Sequence, residues 1–89
     1  MIFRVEYTES VWRDLDKLDR NTAKKIVVKI VYYTAQDNPL HFAKKLNPPF
    51  DDLYRFRIGE YRAIFELGKS NKLRLLIILR IKHRKNVYE

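Results

Sequence analysis

Eighty-nine residues suffice for one domain with a modest core, and 46% hydrophobic with 13% aromatic residues argues against a disordered chain. There is no cysteine, which excludes a disulfide framework and any Cys-based zinc site. A formal net charge of +8 predicts attraction to polyanions.

The opening residues Met1 to Val5 lack a basic stretch followed by an apolar run, so no secretory leader is expected there. Residues 2–7 instead alternate, with Phe3, Val5 and Tyr7 on one side and Arg4 and Glu6 on the other, which predicts a half-buried strand. Thr8 is placed to cap a helix carrying Val11, Leu15 and Leu18, with Trp12 beside them. Asp19 to Thr22 supplies a break rich in capping residues. A second helix over about 22–35 follows, with a stripe of Ala23, Ile26, Val27, Ile30, Val31 and Thr34. Asp37-Asn38-Pro39 ends it, and a loop holding Lys44 and Lys45 runs through Pro48-Pro49. Strands are expected over 53–58, 61–67 and 73–81, joined at Gly59-Glu60 and at Gly68 to Asn71. The order β-α-α-β-β-β gives an α+β fold, a helical hairpin packed on a mostly antiparallel sheet, with residues 1–89 as a single domain. The longest apolar run, Leu75 to Leu79, is too short to span a bilayer, so no membrane association and a cytoplasmic location are expected.

The excess charge belongs to the second half. Residues 1–40 hold seven Lys/Arg against six Asp/Glu, whereas residues 41–89 hold twelve against five. If Ile58 pairs with Tyr61, Arg57 lies opposite Arg62. Alternation then sends Tyr54, Phe56, Ile58, Tyr61, Ala63 and Phe65 to one face, and Arg55, Arg57, Arg62, Ile64 and Glu66 to the other. Pairing Leu67 with Leu73 would add Leu75, Ile77, Leu79 and Ile81 to the apolar face. Arg74, Leu76, Ile78 and Arg80 would join the charged one, with Arg74 opposing Glu66. Like charges opposite each other destabilise a sheet, and arginine forks suit phosphate oxygens. The bland alternative is that the arginines splay into water and cover Ile64, Leu76 and Ile78 with their stems. After Arg80 come Lys82, His83, Arg84 and Lys85, then Val87-Tyr88; histidine exchanges protons near neutral pH, and a terminal tyrosine can stack on a base.

The stretch from Leu53 to Phe65 resembles the Y-R-x-R-x-G-[DE]-Y-R-x-x-[YF] core of the RelE/ParE toxin superfamily, and Arg80 to Tyr88 resembles its R-x-x-H-R-x-x-V-Y ending. The resemblance covers nearly the whole chain. It implies a toxin of a type II toxin–antitoxin pair, partnered by a cognate antitoxin. RelE-like members cleave mRNA on the ribosome: the ribose 2′-OH attacks the adjacent phosphate, with no metal or cofactor required. By position, Arg55, Arg57 and Arg62 would hold the scissile phosphate and its developing charge. His83 would serve as acid or base and Tyr88 would orient the nucleotide. Arg84 or Lys82 would stabilise the leaving group, and Lys45, Arg80, Lys82, Arg84 and Lys85 would bind mRNA and ribosomal RNA. The best-studied RelE-type site has lysines where this chain has Arg55 and Arg57, and arginine is a poor base. The competing implication is a ParE-type gyrase poison without nuclease activity; a third reading is an inactive basic binding module. An antitoxin segment is expected to lie over the charged face, on the apolar surface of Ile64, Leu76 and Ile78.

Overall fold

In the computed structural model, which describes residues 3–70 and 73–87, the chain runs β1 (Phe3–Tyr7), α1 (Glu9–Asp16), α2 (Arg20–Thr34), β2 (Ala43–Lys45), β3 (Tyr54–Ile58), β4 (Tyr61–Ser70) and β5 (Leu73–His83). Short 3-10 turns occupy Pro39–Phe42 and Arg84–Asn86. The strands form one sheet in the order β1-β5-β4-β3-β2. Only the β1–β5 pair is parallel among them, so the α+β, mostly antiparallel expectation holds.

Both helices cover one face. Val11 and Leu15 of α1 and Ile26 and Ile30 of α2 bury against Phe56, Ala63, Phe65, Leu76, Ile78 and Ile81. Aromatic rings fill the middle: Phe56 stacks on Phe65 at 4.5 Å, and Tyr33 lies 5.1 Å from Phe56. Phe3, Val5, Leu18 and Tyr54 pack partly buried around this cluster, as the alternation in β1 requires. Val31, assigned to the inner stripe of α2, is instead 55% exposed, and Tyr33 takes the inward place. The helix begins at Arg20 because Asp19 caps it, its carboxylate accepting from the Thr22 amide and hydroxyl. Those two bonds hold the Asp19 carboxyl below the usual carboxylate range.

The β3–β4 hairpin has the expected register. Ile58 faces Tyr61 and Arg57 faces Arg62, around a turn in which Gly59 adopts φ 59°, a left-handed backbone that side chains disfavour. The β4–β5 register differs from expectation. Ser70, not Leu67, pairs with Leu73, and Glu66 faces Ile77 rather than Arg74. The ladder also slips by one residue: Ile64 faces Arg80 while Phe65 faces Ile78, leaving Leu79 as a β-bulge. The consequence is a change of parity along β5. Leu76 and Ile78, expected on the charged face, are fully buried under the helices, whereas Leu75 and Ile77, expected in the core, lie half-buried on the open face. Beyond the bulge Ile81 returns to the core, and Arg80 and Lys82 turn outward. A further difference lies in the region assigned to a loop: Ala43–Lys45 pairs with β3 as a short edge strand.

β1 stops at the Tyr7–Ile78 pair, but β5 continues to His83, and α1 covers the exposed flank. Thr8 does not cap α1 with its hydroxyl; that hydroxyl donates to the Leu79 carbonyl at 2.8 Å while its amide donates to Ile78. Asp14 then takes the place of a missing strand. Its Oδ2 accepts from the Ile81 amide and from Arg80 Nε, both at 2.8 Å, and Oδ1 accepts from Arg80 Nη2 at 3.0 Å. Burial by itself would raise the Asp14 carboxyl. The Arg80 and Ile81 hydrogen bonds, with the charges of Arg80 and Lys17, outweigh it and hold the carboxyl below its ordinary value of 3.8.

Two measurements follow. Ile78→Ala should cost about 2–5 kcal/mol in urea unfolding, and Ile77→Ala distinctly less; equal costs would contradict the bulged register. Asp14→Asn should cost about 1–3 kcal/mol at neutral pH by weakening the bonds to Arg80 and Ile81. Because the folded pKa is depressed, the Asp14 contribution is fully present above the unfolded value of 3.8 and is lost as pH falls through the folded one. The gap between wild type and Asp14→Asn should therefore close in acid below that value.

Candidate nucleic-acid interface

The registers align cations across four strands. Lys44, Arg55, Ile64 and Arg80 are successive partners on β2, β3, β4 and β5. One row closer to the Gly59 turn, Arg57, Arg62 and Lys82 face one another on β3, β4 and β5. Both rows project away from the helices, because the intervening row is Ala43, Phe56, Ala63 and Ile81, whose sheet members line the core. Ile64 is thus an apolar centre in a cationic field.

The members of the field differ in how they are held. Arg57 is exposed. Arg62 is only 5% exposed, and its Nη1 donates to the carbonyls of Gly59 at 3.0 Å and Tyr61 at 2.9 Å. It is therefore a fixed charge beneath the surface that also ties down the turn. Arg80 is oriented by Asp14, which offsets part of its charge, and this contact raises its pKa through the hydrogen bond first and the Coulombic attraction second. Lys82 is half-buried beside Arg62. Next to the rows lies a cavity of about 250 Å³ with apolar walls from Leu46, Phe50, Leu53, Ile64 and Leu79 and with Lys82 at its margin. A larger cavity of about 510 Å³ lies between α2 and the Gly59 turn, away from the cationic rows.

The remaining sequence candidates fall outside the two rows. Lys45 pairs with Tyr54, so register puts Lys44, not Lys45, beside Arg55. No alternation marks β2 in the sequence, so only the pairing reveals this. His83 pairs with Tyr61, on the parity of Ile81, and meets the Tyr61 ring edge-on at 5.4 Å. Its Nδ1 accepts from the Lys85 amide at 3.3 Å, and Nε2 stands 3.9 Å from Glu60 Oε2. It sits at the end of the sheet, not among the arginines. Arg84 is engaged by Glu60, with Nε at 2.7 Å from Oε2 and its amide donating to the Glu60 carbonyl at 2.8 Å. Lys85 is exposed in the final turn, and Tyr88 lies outside the described residues. Asp14, which sequence reasoning missed, positions Arg80; a buried acid among the apolar positions of α1 was the available signal.

Residues 5–88 match the family described as the ParE toxin of type II toxin–antitoxin systems, parDE. No curated protein matches by sequence. The fold is similar to the archaeal RelE–RelB complex from Pyrococcus horikoshii OT3, with TM-score 0.69 and 28% identity over 98% of this chain and 100% of that one. It is similar also to the toxin–antitoxin complex RelBE2 from Mycobacterium tuberculosis, with TM-score 0.68 and 26% identity over 94% and 100%. The RelB–RelE complex from Methanococcus jannaschii shares the fold at TM-score 0.64 and 21% identity over 90% and 91%.

The paired arginines should respond to anions. Tripolyphosphate should raise the melting temperature of the wild-type protein by about 4 °C or more. Arg57→Ala should show a smaller rise, yet be no less stable than wild type in low-phosphate buffer, since it relieves a like-charge pair. An equal rise in both would place the anion elsewhere.

Proposed function

Because the chain belongs to the ParE-toxin family of type II toxin–antitoxin systems, we propose that it is a toxin that cleaves messenger RNA on the ribosome and is held silent by a protein antitoxin. The observation that carries the reading is the cross-strand row Arg57, Arg62, Lys82 backed by Lys44 and Arg55. Such a row matches a phosphodiester whose charge grows during reaction. The ribose 2′-oxygen attacks the neighbouring phosphorus as the bond to the 5′-oxygen breaks, giving a 2′,3′-cyclic phosphate and a 5′-hydroxyl. One group accepts the 2′ proton and another returns a proton to the leaving oxygen.

Arg57 and Arg55 would hold the non-bridging oxygens, with Arg62 as the preorganised charge below them. Lys82 is the member of the row that can donate a proton to the leaving oxygen and regain it; arginine stays protonated. His83 would accept the 2′ proton from the end of the sheet, a role that requires RNA to pass over the Gly59 turn. Tyr88 would stack on the nucleotide. Lys45, Lys85 and the outer cations would attract ribosomal RNA with strong salt dependence. Two similar structures above 25% identity are toxin–antitoxin complexes, which supports a protein partner for this chain. The ParE description of the family favours a second reading, a gyrase poison on the same scaffold.

Single-turnover cleavage of ribosome-bound mRNA separates the two. Arg57→Ala and Lys82→Met should each lose on the order of a hundredfold in rate, while ribosome binding weakens less. His83→Gln should lose rate by removing the proton acceptor while keeping a side chain of similar size and polarity. Wild-type rates for all three variants would remove the function from this face. Gyrase-dependent DNA breaks without mRNA cuts would establish the second reading.

A further inference from the structure

The helical side of the molecule holds a concentration of charge that the candidate site does not use. α2 carries Arg20, Lys24, Lys25 and Lys29 and no carboxylate. Lys25 and Lys29 stand four residues apart, so they share one face of the helix, a placing of like charges that weakens a helix. Lys29 Nζ lies over the rings of Tyr32 and Tyr33 at 5.4 and 5.5 Å, contacts that orient the ammonium without cancelling its charge. Beside these lysines, between α2 and the Gly59 turn, lies the cavity of about 510 Å³. Its walls are apolar: Ile26 and Val28 come from α2, and Ile58 and Tyr61 from the two sides of the turn. Val28 is 57% exposed at its margin. The carboxylate in the wall, Glu60, is taken by Arg84 at 2.7 Å. Asp19, at the start of α2, is used by the amide and hydroxyl of Thr22. The cleft is therefore an apolar slot with uncompensated positive charge beside it.

Such a slot has the size and lining of a small-molecule site. It does not suit a nucleic-acid backbone, whose phosphates would find no polar partner on its walls. We propose that the cleft between α2 and the Gly59 turn binds a small organic anion, a carboxylate on an aromatic body, and that its occupancy is linked to anion binding on the open face. The carboxylate lies by Lys25 and Lys29, and the body packs on Ile26, Ile58 and Tyr61. The link runs through the turn. The carbonyls of Gly59 and Tyr61 accept from Arg62 Nη1 at 3.0 and 2.9 Å, so the wall of the cleft is also the support of the buried arginine. A body packed against the turn holds those carbonyls, and Arg62 with them, in one arrangement. An anion arriving on the open face then has less to order, and each ligand tightens the other by the same factor. The inference does not depend on whether RNA is cleaved.

The test uses the purified protein and three probes followed by methyl NMR: 2-naphthoate, its neutral amide 2-naphthamide, and acetate. Naphthoate should shift the methyl signals of Ile26, Val28 and Ile58 and bind about tenfold more tightly than the amide. Acetate, which has the charge without the body, should leave those methyls unmoved. The K25M/K29M variant should lose the preference for naphthoate while binding the amide as the wild type does. Equal affinity for naphthoate and the amide, or naphthoate shifts at Leu75 and Ile77 in place of Ile26 and Ile58, overturns the site. Tripolyphosphate is then titrated with and without saturating naphthoate. Its affinity should rise about twofold or more in the wild type and stay constant in K25M/K29M. Repulsion between two bound anions has the opposite sign, so an unchanged or weakened affinity overturns the link. If tripolyphosphate does not bind the wild type at all, the anion reading of the open face fails and the link with it, whereas the naphthoate titration still decides the cleft.

Discussion

One extra residue in β5 governs this structure. Without the bulge at Leu79, strict alternation would place Leu76, Ile78, Arg80 and Lys82 on one face, and either the core would receive two cations or the open face would receive two large aliphatic side chains. The bulge lets the strand contribute Leu76, Ile78 and Ile81 to the core and still turn Arg80 and Lys82 outward. The bulge lies beside a dense set of contacts from α1. Thr8 bonds the carbonyls of Ile78 and Leu79, and Asp14 bonds the amide of Ile81 and the guanidinium of Arg80. The same carboxylate thus closes the sheet flank and aims a cation of the candidate site. Fold stability and the geometry of the candidate site meet at Asp14, a residue far in sequence from either row.

That bulge also marks the limit of what the sequence discloses. The helices, the strand order along the chain and the β3–β4 hairpin are legible because they rest on local signals: the Asp19 cap, the spacing of Ile26 and Ile30, and the positive φ of Gly59. The arginine face is legible for the same reason, since Arg57 and Arg62 flank a two-residue turn that fixes their pairing. From Leu73 to Ile81 every residue except Arg74 and Arg80 is a large aliphatic, so either parity offers an equally apolar face. The tertiary contacts of Thr8 and Asp14 choose between them. Lys44 and Lys45 present the same difficulty in smaller form, because only pairing with β3 tells which lysine joins Arg55. His83 stood out by chemistry, but its side of the sheet follows from the bulge two turns of pleat earlier.

The candidate site shows how a like-charge cluster is kept within a small fold. Arg57 and Arg62 oppose each other, an arrangement that costs stability on an exposed sheet. Two carbonyls of the turn partly neutralise Arg62 where it lies buried, and Asp14 does the same for Arg80. The exposed members, Arg57 and Lys44, remain available to a ligand. Preorganisation of this kind leaves little to rearrange when an anion arrives.

The parallel pairing of β1 with β5 has a consequence for how the molecule is made. β5 lies between β1 and β4 in the sheet and is the last strand in chain order. A chain synthesised from its N-terminus therefore completes both helices and four strands while the strand that joins β1 to the rest is still missing. Until β5 is laid down, Lys82 and Arg80 are absent from the open face and β1 has no partner. Closing the sheet depends on pairing residues 3–7 with residues 74–78, a long-range contact of the kind that slows folding. The cationic rows and the closed sheet thus come into being together, with the arrival of that one strand.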